Sequence, residues 1–72
     1  MIKTKVMNGE EVYVMGVRKI WVEVECMFMR KTVYASKDFK RRYAQHCGRL
    51  FKIYDKMAFG NWAISGDKEA AL

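Results

Sequence analysis

His46 and Cys47 stand side by side, and they are the residue types of a thiol nucleophile with an imidazole base, or of half a zinc site. Read on a helix, neighbours point about 100° apart, so the two neither activate one another nor share an ion, and no third group orients the imidazole. Glu23 and Glu25 share one face of a strand, as the two carboxylates of a glycosidase can. A chain of 72 residues supplies little wall for a substrate cleft, however, and alternating glutamates suit a solvated face. The glycines at 9, 16, 48, 60 and 66 match neither a phosphate loop nor a dinucleotide fingerprint. The expectation is a non-enzymatic protein with no catalytic residue, no metal and no cofactor.

Charge carries more information. Residues 1–29 balance four bases against four glutamates, whereas residues 30–56 hold nine bases against Asp38 and Asp55. That excess dominates the net charge of +6 and favours polyanions or acidic protein surfaces. Arg30, Lys31, Lys37, Lys40, Arg41, Arg42, Arg49 and Lys52 are the candidate polyanion-binding residues. No zinc finger, helix-turn-helix or RNP signature accompanies them, so phosphate contact rather than base reading is the expected mode.

The elements that would position these residues follow from periodicity. Ile2 to Met7 and Glu10 to Met15 alternate around Asn8-Gly9, the signal of a hairpin with a type I′ turn. Gly16 breaks the pattern, and Ile20 to Phe28 resumes it with Ile20, Val22, Val24, Cys26 and Phe28 on one face. Arg30-Lys31 reads as a turn into a strand at Thr32 to Ala35. Ser36 and Asp38 suit a helix N-terminus and Gly48 its end, with Phe39, Tyr43, His46/Cys47 and Leu50 at helical spacing between them. The spacing predicts a helix from about Lys37 to Cys47 that projects Lys37, Arg41, Gln45, Arg49 and Lys52 outward. Arg49 to Met57 and Trp62 to Ile64 read as strands, and residues 65–72 as a loose tail.

The expected fold is therefore α+β: a small antiparallel sheet with one amphipathic helix, in the order ββββαβ(β), as one domain over residues 1–72. The runs Gly9-Glu10-Glu11-Val12-Tyr13-Val14-Met15-Gly16, Trp21-Val22-Glu23-Val24 and Lys31-Thr32-Val33-Tyr34 resemble the strand rhythm of SH3-like small barrels. That resemblance implies a partial barrel and no functional residue.

Only Cys26 and Cys47 are present, which suits reduced thiols, and no apolar stretch approaches the ~20 residues of a membrane span. A cytoplasmic location is the expectation. Two kinds of partner fit: nucleic acid or an acidic, nucleic-acid-bound complex through the basic helix, or a host protein through Trp21, Met27, Met29 and Tyr34. The second reading describes an inhibitor or adaptor of the phage or mobile-element type, or the interface of a homodimer.

Overall fold

The alternation at the start of the chain becomes a hairpin of unequal arms. In the structure, a computed structural model that describes residues 2–7, 9–56, 60–67, 69 and 71, β1 (Thr4–Met7) pairs antiparallel with the start of β2 (Glu10–Val22). Met7 faces Glu10, leaving a two-residue connection, whose Asn8 lies outside the described residues. β3 (Met27–Ala35), β4 (Arg42–His46) and β5 (Arg49–Lys52) continue the antiparallel order, and β6 (Tyr54–Lys56) pairs with β7 (Asn61–Ile64). β7 also lies parallel to the end of β2 through Trp21/Ala63 and Val22/Ile64.

The strand order is β5-β4-β3-β2-β7-β6, with β1 beside β2. The two end strands of that path are separated in the chain by Ile53 alone, whose amide donates to the Arg42 carbonyl at 2.9 Å. A flat sheet cannot place its outermost strands one residue apart, so this one curls into a half-barrel.

Gly16 sets which face each apolar row occupies. Val12, Val14, Ile20 and Val22 would share one face of an unbroken strand. A bulge between Val14 and Gly16, where φ of Gly16 is +104°, inserts one residue and reverses the alternation. Val12 and Val14 therefore pack with Tyr34, Tyr43 and Leu50, while Ile20 and Val22 pack on the other face with Val33, Ala44, Phe51 and Ile64. The expected pattern break is thus a bulge inside one long strand.

Several expectations are corrected. No helix forms over 37–47. Ser36 Oγ donates to Asp38 Oδ1 (2.5 Å) and accepts from the Arg41 amide (3.1 Å), while Phe39 takes a left-handed φ of +61° that no α-helix admits. The residues that would cap a helix instead close a loop, because their side chains satisfy turn amides equally well. Gly48 is left-handed as expected, but with Cys47 it forms the two-residue turn that joins His46 of β4 to Arg49 of β5. The fold class is accordingly β, not α+β.

Arg30-Lys31 is not a turn either: both lie within β3, opposite Lys19 and Arg18. The chain reverses at Glu23–Cys26, where the Glu25 amide donates to the Val22 carbonyl and that of Cys26 to the Glu23 carbonyl. In the tail expected to be loose, Lys68, Ala70 and Leu72 lie outside the described residues, while Ala71 bridges Phe51 and packs on the core. Among the described residues no helix is long and apolar enough to cross a membrane.

Candidate nucleic-acid interface

Once the β2–β3 turn sits at Glu23–Cys26, the pairing brings bases onto bases. Arg18 faces Lys31 and Lys19 faces Arg30 on adjacent rungs. Like charges directly opposite on a sheet are destabilising, so stability alone does not favour this arrangement. Alternation sends the first pair to the face that carries Ile20 and Val33 and the second to the opposite face.

Two open depressions gather the bases. Lys40, Arg41, Arg42, Lys52, Ile53, Tyr54, Asp55 and Trp62 line one of about 210 Å³. Val17, Arg18, Lys19 and Arg30 line another of about 310 Å³. Trp62 joins them, because the Arg18 guanidinium lies 4.2 Å and that of Arg42 5.2 Å from its ring centre. Such contacts hold a guanidinium by its flat face and leave its N–H edge for an anion. The result is a run of bases, Arg18, Trp62, Arg42, then Lys40 and Lys52, with Lys19 and Arg30 beside Arg18 but directed to the opposite face of the sheet.

The track is uncompensated. Among the described residues the ion pairs are Lys37–Glu11 (2.6 Å) and Arg41–Glu10 (2.8 Å), and no carboxylate lies within ion-pair distance of Arg18, Lys19, Arg30, Lys40, Arg42 or Lys52. Asp55 is the one acid in the lining of the smaller depression. Lys37 also sits over the Tyr13 ring, which itself stacks on Phe39 at 5.0 Å. Glu11 chiefly raises the Lys37 pKa.

The eight candidate bases therefore divide. Arg42, Lys52 and Lys40 converge, with Arg41 beside them but engaged by Glu10; Arg30 lines the second depression. Lys31 faces Arg18, Lys37 is held at the start of β2, and Arg49 is exposed opposite His46 at the far end of the β4–β5 hairpin. Arg18, Lys19, Tyr54 and Trp62 escape the sequence reading. For Arg18 and Lys19 the signal was the symmetry of 18/31 and 19/30 about a reversal at 23–26, which no Gly, Pro or Asn marks; Tyr54 and Trp62 reach the site through the β6–β7 pairing.

The four apolar candidates do not form one face. Tyr34 is buried beside Val12, Tyr43 and Leu50; Met29 packs on the other core; Met27 is exposed on the face of Val22. Trp21 instead pairs across the rung with Phe28, edge to face at 5.0 Å.

Cys47 Sγ does meet His46 Nε2, at 3.5 Å, because the two sit at a hairpin turn and not on a helix. Burial holds the imidazole pKa below its ordinary value, and Lys31 pushes it the same way against Glu25. The imidazole beside Cys47 is therefore neutral at neutral pH. Among the described residues no three of His, Cys, Asp and Glu converge as a metal cluster.

Comparison of the chain with protein-family models, with curated proteins and with solved structures finds no match.

Proposed function

We propose that this chain is a non-enzymatic nucleic-acid-binding protein whose contact surface is the basic track across the half-barrel. One observation carries the reading: Arg18 and Arg42 converge on Trp62 and so connect two depressions in which, among the described residues, only Arg41 of the lining bases is ion-paired to a carboxylate. A compact anion would need one pocket, whereas a track of separated cations suits a polymer with regularly spaced phosphates. The like-charge rungs support the same reading, since their repulsion is relieved when a polyanion lies across them. Phosphate contacts of this kind give affinity with little sequence preference.

The test is a salt titration with the double variant Lys40→Ala/Lys52→Ala, both exposed residues outside the two apolar clusters. Each phosphate that is no longer neutralised lowers the slope of log affinity against log salt by about 0.7 on a single strand or 0.9 on a duplex. The double variant should show a slope smaller by about 1.5 to 2 units and keep its fold. Wild-type and variant curves that superimpose would remove the depression as a phosphate surface.

A further inference from the structure

We propose that the track takes single-stranded nucleic acid, with one base stacked on Tyr54 while the flanking phosphates lie on Lys40, Arg42 and Lys52; this rests on the nucleic-acid reading above. Tyr54 is 43% exposed and lines the same depression as those three bases. Its hydroxyl donates to Glu23 Oε1 at 3.1 Å, which ties the ring to the β2–β3 turn. Burial, then Glu23, raises the phenol pKa, so the ring stays neutral. An exposed aromatic fixed at its far end and ringed by cations is a stacking platform, because every base has a π-face and its phosphates need counter-charges beside it.

A duplex does not use this arrangement. Its bases are stacked on one another, and the major groove is read by an inserted helix or β-ribbon. The described residues form no α-helix, and Tyr54 is one of the residues that line an open depression. A single strand brings phosphate and an unstacked base together, which the depression matches.

The experiment measures fluorescence anisotropy at one salt concentration for wild type, Tyr54→Ala and Tyr54→Phe. The probes are a labelled oligothymidine strand, the same strand with abasic positions, and a duplex of equal length. Wild type should bind the base-containing strand more tightly than the abasic strand or the duplex. Tyr54→Ala should lose about five- to hundredfold affinity for that strand and none for the other two, while Tyr54→Phe stays near wild type. Equal wild-type affinity for base-containing and abasic strands would overturn the inference, and that comparison stands even if Tyr54→Ala fails to fold. Failure of the underlying reading looks different: Lys40→Ala/Lys52→Ala would then bind every probe as wild type does.

Discussion

The Arg18 guanidinium lies 4.2 Å from the centre of the Trp62 ring, so a residue of the long second strand is held by one near the end of the described chain. Trp62 also packs against the Ile20/Phe51 core and carries Arg42 at 5.2 Å. One side chain therefore links core packing to the placement of two cations.

Replacing that ring separates the two roles. Trp62→Leu keeps apolar volume against the core but removes both ring–guanidinium contacts, each worth about 0.5–1 kcal/mol at an exposed site. The variant should fold, melt a few degrees lower and bind a polyanion more weakly, as Arg18 and Arg42 lose their support. Circular dichroism melts with anisotropy titrations check this; unchanged affinity in a folded variant would detach Trp62 from the interface.

The β4–β5 turn offers a stabilising change. Cys47 holds a φ of +51°, a left-handed conformation that costs a residue with an ordinary side chain roughly 1 kcal/mol, and Gly48 follows at +75°. Asn-Gly is the preferred pair for this turn, so Cys47→Asn should raise stability by several tenths of a kcal/mol to about 1. A chemical denaturation midpoint that falls would contradict the turn assignment.

His46 supplies a pH dependence of known sign. Its folded pKa is depressed, chiefly by burial, so between the ordinary histidine value near 6.5 and that lower value the unfolded chain binds a proton the folded chain refuses. Stability is unaffected by this group above about pH 6.5 and falls below it, by at most about 1.4 kcal/mol per pH unit. Melting temperatures from pH 7 to 5.5 should drop in wild type and drop less in His46→Gln. Parallel curves would place the imidazole in water.

The strands were legible where alternation and turn chemistry agree. Thr4–Met7 and the start of β2 at Glu10 pair around Gly9 as the alternation suggests, and the strand at Trp62 to Ile64 forms within β7. The segment 37–47 misleads because Ser36, Asp38 and Gly48 serve loops and hairpins through the same hydrogen bonds and left-handed backbone that serve helix ends. What decides is pairing of Tyr43 and Ala44 with β3 on one side and β5 on the other, which buries both faces of β4. That is long-range information. The basic residues were visible by composition, yet their assembly was not, because Arg18 meets Trp62 only through the parallel β2–β7 pairing.

The central claim is that the uncompensated bases are kept for a polyanion at the expense of stability, and Arg30→Glu tests both halves at once. Opposite Lys19, a glutamate converts a repulsive rung into an attractive one, worth about 0.2–1 kcal/mol in either pairing, so melting should rise by one to several degrees. The decisive measurement is the affinity of this variant for a single-stranded oligonucleotide at low salt, beside its melting temperature. The account predicts a protein that melts no lower than wild type and binds at least several-fold more weakly, with a reduced salt slope. Wild-type affinity in a variant of equal or greater stability would contradict it.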